Sequence, residues 1–402
     1  MPRAALAAVI ATASLVGVTI SLNLPLLSLA LEGAGFGPGA IGVNTAASGL
    51  GAVLAVPLLM PLHRRLGARG TIACGAGAAA AAMVVFPLYP DPLLWFALRL
   101  VVSAGTALVF IISEAAINAL APEARRGRIL ALYATVFSLG YAAGPLVVAL
   151  LGSRGFAPFL ASAGLFLVGA LPAWCTRRLD GLFTAPPSGS AAARLLAVVR
   201  EAKLAYAAIL VFGVLEASIF ALLPIYATMR GFAEAEGALL VSTWILGNIL
   251  LQYPIGWLAD RLPRRLVLAS VAGAVALVLF VLPFAAWSGL WLSGLLLLLG
   301  GCAGALYTLS LVLIGERFRG FALTFANTAF VIAIEFGMVL GPPAAGLAMA
   351  AFGPAALPVG LALATIPLAL AAARPQALRG RLSERLRRPS LGGGRGMDRI
   401  GS

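Results

Sequence analysis

Apolar residues dominate this chain in long runs, broken at intervals by charges or by glycine and proline. A helix needs about 20 predominantly apolar residues to cross a bilayer. Runs of that length fall near 4–31, 38–62, 70–89, 92–121, 128–152 and 155–176. A second set falls near 204–229, 234–259, 264–286, 288–314, 320–351 and 353–373. The pattern predicts an all-α membrane protein of twelve transmembrane helices in two six-helix bundles. The division between spans nine and ten, around Trp287, Ser288 and Gly289, is the shallowest. Span four opens on Asp91 and Pro92, a capping residue followed by a first-turn proline. The apolar stretch after Arg3 continues to Leu31, too long for the core of a signal peptide, and reads as the first span.

Polar stretches divide the chain further. The segment 177–203 holds Arg177, Arg178, Asp180, Pro186, Pro187, Arg194, Arg200, Glu201 and Lys203, and reads as a linker. It separates an N-terminal bundle (1–176) from a C-terminal one (204–373). The tail, 374–402, is rich in Arg and Gly and reads as a basic, solvated segment. Leu378, Leu382 and Leu386 recur there every four residues, which also suits a short interfacial helix on anionic lipid.

Composition agrees with the pattern. Of 402 residues, 61% are hydrophobic and only 10% charged, against about a quarter charged in soluble domains. The net charge of +14 does not mark a nucleic-acid binder, because the basic residues sit in short clusters between apolar runs. Placing both termini in the cytoplasm puts every Lys and Arg but Arg99, Arg154 and Arg230 on that side. The positive-inside rule then fixes the orientation and favours an even number of spans. The expected place is a cell membrane of the bacterial inner-membrane type.

The two sets of spans share punctuation at an offset of 196 or 197 residues. Gly35-Phe36 recurs as Gly231-Phe232, Pro57 as Pro254 and Arg65-Leu66 as Arg261-Leu262. Gly105 recurs as Gly301, and Gly144-Pro145 as Gly341-Pro342. Six-span halves related in this way mark secondary transporters that rock two bundles about a central site.

Enzyme and cofactor chemistry is weakly represented. Cys74, Cys175 and Cys302 are far apart, with no CxxC and no Cys/His cluster, so neither metal site nor disulfide framework is indicated. His63 lies among Arg64, Arg65 and Arg69 and reads as a loop residue. The glycines at 33, 35, 37 and 39 lack the Lys-Ser/Thr of a phosphate-binding loop and read as the turn between spans one and two. No cofactor is expected.

The charges placed in the membrane are more informative. Arg99, Glu114, Glu216 and Glu335 fall inside spans, at a cost of roughly 2.5–3.5 kcal/mol each at a helix centre. They are expected to face protein or a wet cavity. Glu216 and Glu335 lie near the middle of their spans, and a carboxylate taken out of water holds its proton to higher pH, which a coupling acid requires. Arg99 either orders the cavity or caps carbonyls of a neighbouring helix. Glu114 either pairs with a nearby basic loop residue or lines the cavity. About 22 Å of helix separates Arg99 from Glu114, so the two do not pair. Asn23 and Asn248 are further candidate polar residues of the cavity.

The sharpest motif runs from Gly256 through Trp257, Leu258, Ala259, Asp260, Arg261, Leu262 and Pro263 to Arg264 and Arg265. An aspartate at a helix end followed by basic residues can pair with a neighbouring helix N-terminus or an arginine, latching one conformation. The alternative is an ordinary basic loop. Two GxxxGP stretches, Gly140 to Gly144-Pro145 and Gly337 to Gly341-Pro342, combine small residues that let helices approach with a proline that bends them.

These residues resemble the major facilitator superfamily. The stretch 256–265 is similar to its loop signature, with Pro263 in place of a glycine. The first-half copy, Met60 to Arg69, keeps basic residues and lacks the aspartate. Arg99 to Gly105 resembles the family's fourth-span motif, and Gly140 to Pro145 its fifth-span motif, commoner among antiporters. Ser113-Glu114-Ala115, Arg126-Gly127-Arg128 and Gln252 to Gly256 narrow the resemblance to a YcaD-like branch of bacterial transporters.

The resemblance implies a secondary transporter working by alternating access on a small molecule. With the buried acids it points to proton coupling and to an exporter, acting as a monomer in the bilayer. An uncoupled uniporter, or a transporter-like sensor that binds without moving its ligand, are the alternatives.

Overall fold

The computed structural model describes residues 2–121, 126–174, 191–285 and 289–374. They fold into twelve α-helices: α1 (Pro2–Gly33), α2 (Pro38–Val85), α3 (Pro92–Leu120), α4 (Arg126–Leu151), α5 (Ala157–Trp174), α6 (Ala191–Glu201), α7 (Lys203–Met229), α8 (Glu234–Arg261), α9 (Arg264–Val281), α10 (Gly289–Arg317), α11 (Phe321–Phe352) and α12 (Ala356–Ala373). A helix satisfies its backbone polar groups internally, as hydrocarbon demands. Ten helices among the described residues are long and apolar enough to cross a membrane, and Ala157–Leu171 in α5 is a shorter apolar helix.

The expected spans two and three meet end to end in α2, which is two helices joined across a kink at Gly67. Together its two helical segments take up 48 residues, about 72 Å of helix, enough for two crossings of a core about 30 Å thick. The break expected at 63–69 is there, narrowed from a loop to a kink at Gly67. The basic cluster is helical on either side of Gly67, whose φ 68° and ψ 179° end one helix and begin the next. Only glycine adopts that conformation without strain, so one residue redirects the helix. Counting α2 twice and leaving out α6, the bundle has twelve spans.

The linker is likewise more structured than expected. Its end forms α6, an amphipathic helix. Val198 is buried, Arg194 lies over the Phe325 ring of α11, and Glu201 pairs with Arg317 of α10 at 3.2 Å. The remainder of the linker, Cys175, the boundary at Trp287 and Ser288, and the tail with Leu378, Leu382 and Leu386 lie outside the described residues.

The internal repeat is reproduced in backbone detail. Gly35 and Gly231 have φ 90° and 89°. Each ends a span with the same bonds: Gly35 N–H to Glu32 O at 2.8 Å and Phe36 N–H to Leu31 O at 3.1 Å, then Gly231 N–H to Thr228 O at 2.9 Å and Phe232 N–H to Ala227 O at 3.1 Å. These are left-handed helix caps, which glycine supplies without strain. The start of α3 follows the sequence reading, with Asp91 Oδ1 accepting from Leu94 N–H at 2.7 Å and Pro92 in the first turn.

The GxxxGP stretches seat α4 on α1 and α11 on α7. A Cβ at Gly140 would lie 2.7 Å from Ser14 O, and one at Gly144 2.7 Å from Val18 O. In the second half, a Cβ at Gly337 would lie 2.9 Å from Val214 N and one at Gly341 2.7 Å from Val214 O. Gly17 and Gly213, also 196 residues apart, answer from α1 and α7, facing Phe137 and Ile334. Backbones meet because nothing larger than hydrogen intervenes. Pro145 and Pro342 sit inside helices that continue past them.

Candidate functional site

Below, the turn end is the one carrying Gly35 and Gly231, and the linker end the one carrying α6. The identified contacts between the halves run from the turn end to the middle of the bundle. On the α2–α11 seam, Gly39 faces Leu347 and Ala350, Gly346 faces Pro38, Gly42 faces Pro342, and Gly49 faces Val339 and Glu335 O. On the α4–α8 seam, Ser153 donates to Glu234 at 2.6 Å and Ser242 to Ala142 O at 3.4 Å.

At mid-depth the seams enclose a carboxylate and aromatic cluster. Tyr141 of α4 donates its hydroxyl to Glu216 Oε1 of α7 at 3.1 Å, a bond from one half to the other. Glu335 of α11 lies within Coulombic reach of Glu216, and Tyr141 of both. Tyr307 of α10 lies within reach of Glu114 and Glu216, and Tyr133 of α4 within reach of Glu114 and Tyr307. Helices from both halves thus bring three of the four sequence-predicted ionisable residues toward one region.

Aromatic rings line it. Tyr133, Phe137 and Tyr141 follow one another along α4, with centroids 5.9 and 5.8 Å apart. Tyr141 then meets Phe220, which meets Trp244 edge-on at 5.6 Å. Across the region, Tyr307 packs between Phe212 and Phe330 at 5.6 and 5.1 Å. Negative ring faces beside carboxylates make a surface suited to a positive charge carried on an apolar body.

Arg99 is placed elsewhere. Its side chain is buried between α3 and α2, where it donates to Thr45 Oγ1 at 2.7 Å. Its Nε and Nη2 have no partner among the described residues. It caps no carbonyl, and its one identified bond is to a hydroxyl. Asn44 beside it donates to Pro92 O at 3.0 Å, so this polar group belongs to the α2–α3 packing.

The two asparagines are also engaged in packing. Asn23 Oδ1 accepts from Ser162 of α5 at 2.7 Å inside the first half. Asn248 lies against Gly304 of α10, where no Cβ would fit. Both are seam residues within a half rather than free groups of the central region.

The loop signature is turned toward its own half. Arg264 pairs with Glu316 of α10, Arg265 donates to Ala371 O of α12, and Arg261 lies over the Trp257 ring at 3.8 Å. Asp260 is exposed and makes no hydrogen bond or ion pair with a described residue. Together with Gly256 it lines a cavity of about 220 Å³ between α8 and α10. Asp260 also borders a crevice of about 860 Å³ that reaches Arg200 and Lys203 near α6.

Sequence reasoning missed Tyr133, Tyr141 and Tyr307 as site residues, although the four-residue spacing of Tyr133, Phe137 and Tyr141 places them on one helix face. It also missed Glu32, Thr228 and Glu234 at the turn end. Among the described residues no group of His, Cys, Asp and Glu could hold a metal ion. Cys74 and Cys302 are free thiols.

Comparison with known proteins bears on what such a site does. The family model described as Major Facilitator Superfamily matches residues 9–334 and 230–393. The "Uncharacterized MFS-type transporter YfkF" of Bacillus subtilis is 25% identical over 379 residues, 90% of this chain and 94% of that protein. The "Uncharacterized MFS-type transporter YcaD" of Shigella flexneri is 28% identical over 263 residues, 64% of this chain and 66% of that protein. Among solved structures, a point mutant of the nucleoside transporter NupG superposes with a TM-score of 0.78 at 16% identity, covering 92% of this chain and 98% of that one.

Proposed function

Because this chain belongs to the Major Facilitator Superfamily and is a multi-pass membrane transporter of a small molecule, we propose that it exchanges an organic cation for protons by alternating access. The observation that carries this reading is the Tyr141–Glu216 bond at the seam, with Glu335 in Coulombic reach. Carboxylates that bind either protons or a cation cannot hold both at once, and that competition is the physical basis of exchange. Tyr141 ties the occupancy of Glu216 on one half to the position of the other half. Phe137, Tyr141, Phe220 and Tyr307 offer faces to the apolar part of the cargo.

The moving bodies are the halves 1–176 and 204–373. The identified contacts join them from the turn end to mid-depth, which supports a site reached from the linker end. That end carries Arg64, Arg65, Arg69, Arg261, Arg264, Arg265 and Arg317 and faces the cytoplasm by the positive-inside rule. Both termini then lie on the cytoplasmic side of a bacterial inner membrane, and the direction of net transport is export. The exposed Asp260 is a latch of the opposite conformer, in which the linker ends of the halves meet. The protein acts as a monomer.

The test uses purified protein in proteoliposomes, with tetraphenylphosphonium as cargo and tetraphenylborate as its anion of equal shape. Flux of the cation driven by an imposed pH gradient, and its loss in Glu216→Gln and Glu335→Gln, is the expected result. Flux that follows the cation gradient alone at every pH would make the protein a uniporter. Saturable binding with no flux would make it a sensor.

A further inference from the structure

The turn end is closed on both sides of the bundle, but by different chemistry. On the α4–α8 seam, Glu234 accepts from Ser153 Oγ at 2.6 Å and pairs with Arg154 at 3.4 Å. Between the seams, Thr228 at the end of α7 donates to Glu32 at the end of α1 at 2.6 Å. These bonds join the first half to the second.

The repeat offset carries Glu234 onto Pro38 and Ser153 onto Ala350. Those mates also meet, on the α2–α11 seam: Gly39 faces Ala350 and Gly346 faces Pro38. There the contact is backbone against backbone, with no charged side chain. A Cβ at Gly42 would enter the space of Pro342 O, and one at Gly346 that of Pro38 O. The same place in the two-fold plan is therefore a polar clasp on one side and a close steric fit on the other.

We infer that Glu234 and Glu32 are gating residues whose bonds to Ser153, Arg154 and Thr228 hold the turn end shut, while Gly42 and Gly346 set how closely it can shut. Charge-assisted hydrogen bonds of this length are strong relative to neutral ones, yet each breaks by a small separation. A glycine fit resists differently: it tolerates separation and forbids added bulk. The two devices predict opposite kinds of lesion with one outcome. Removing charge from the clasp and adding a methyl to the fit both drive the equilibrium toward a conformer open at the turn end. The Glu234–Arg154 pair is partly exposed, with side chains 29% and 77% accessible, so salt screens it. The glycine seam holds no charge for salt to act on. None of these residues touches the mid-depth carboxylates, so the gate is separable from cargo binding.

The test is a spin-label distance measurement in nanodiscs on the full chain, with the cysteines replaced and labels at Tyr89→Cys and Phe284→Cys. Both positions are exposed near the turn end, one in each half. The parent should give a distribution dominated by the shorter, closed distance. Glu32→Gln with Glu234→Gln should shift the closed-to-open ratio by about tenfold toward the longer distance, as should Gly42→Ala. The charge exchange Arg154→Glu with Glu234→Arg should recover part of the closed population, since it rebuilds the ion pair and leaves Ser153 without its acceptor. High salt should move the parent partway, move Gly42→Ala by a similar factor because its clasp is intact, and leave the double Gln variant where it is. An unchanged distribution in the double Gln variant would overturn the gating role of the two acids. A double Gln variant that salt still opens further would overturn the division between clasp and fit. No cargo is needed, so failure here leaves the exchange reading standing, and failure of that reading leaves the gate.

Discussion

Thr228 donates its hydroxyl to Glu32 at 2.6 Å, and the two residues are 196 positions apart, the offset of the internal repeat itself. They are mates under the pseudo-two-fold, so its axis passes between them. Mates meet only on the axis. At that point one half presents a carboxylate and the other a hydroxyl, which turns a place of formal symmetry into a donor–acceptor pair. Two glutamates there would repel, and two threonines would make a neutral bond. The pair predicts that Thr228→Val, which keeps shape and removes the donor, weakens closure of the turn end. The longer-distance population of the Tyr89/Phe284 spin pair should rise.

Tyr141→Phe keeps the ring against Phe137 and Phe220 and deletes the bond to Glu216. A hydrogen bond to a charged group contributes about 1.5–3 kcal/mol, so coupling should fall by one to two orders of magnitude while the fold persists. The measurement is pH-driven tetraphenylphosphonium flux beside thermal unfolding of the same sample. Normal flux in this variant would remove Tyr141 from the mechanism.

Gly144→Ala places a methyl 2.5 Å from Leu22 N, and Gly341→Ala places one 2.7 Å from Val214 O. Each should destabilise by about 1–3 kcal/mol, because backbone must move. Gly164→Ala and Gly273→Ala meet nothing within 4 Å. There the gain in helix propensity, up to about 1 kcal/mol, should be visible as a higher unfolding temperature. Equal melting of all four would contradict the close approach of α4 to α1 and of α11 to α7.

Much of this fold was legible in the chain because the signals are local. A left-handed cap needs glycine, so Gly35 and Gly231 announce turns wherever they are met. A GxxxGP stretch announces close approach. Asp91 and Pro92 announce a helix start. What was not legible is which polar groups face each other. An asparagine in an apolar run signals a buried amide, and the cavity was one destination for Asn23. Ser162, 139 positions away, was another, and only packing chooses between them. The break between spans two and three was legible in its place but not in its width, for a different reason. Arginine is a good helix former and can carry its charge to the membrane surface on a long stem, so the basic residues stay helical up to the break at Gly67.

Arg99 separates stability from function. A buried guanidinium with one identified partner is held at a cost. Thr45→Val should therefore lower stability by about 1–3 kcal/mol, leaving the charge with less. Arg99→Met should melt at the same temperature as the parent or higher, as buried charges replaced by apolar residues of similar volume commonly do. A large loss of stability in Arg99→Met would show that the guanidinium carries the α2–α3 packing.

Asp260→Asn should change the unfolding free energy of this conformer by no more than about 0.5 kcal/mol, since the carboxylate has no partner among the described residues here. In the proposed cycle its effect belongs to the conformer in which the linker ends meet. Flux should fall while thermal unfolding stays at the parent value. Parent-like flux would remove the latch role.

Trp244 gives the seam a natural optical reporter. Its indole is 1% accessible, its N–H has no partner among the described residues, and it meets Phe220 edge-on, one ring away from Tyr141. An indole so enclosed emits toward the blue. Any step of the cycle that draws α4 away from α7 and α8 admits water beside it and moves that emission toward the red, so an unlabelled molecule can be followed through its turnover by its own light.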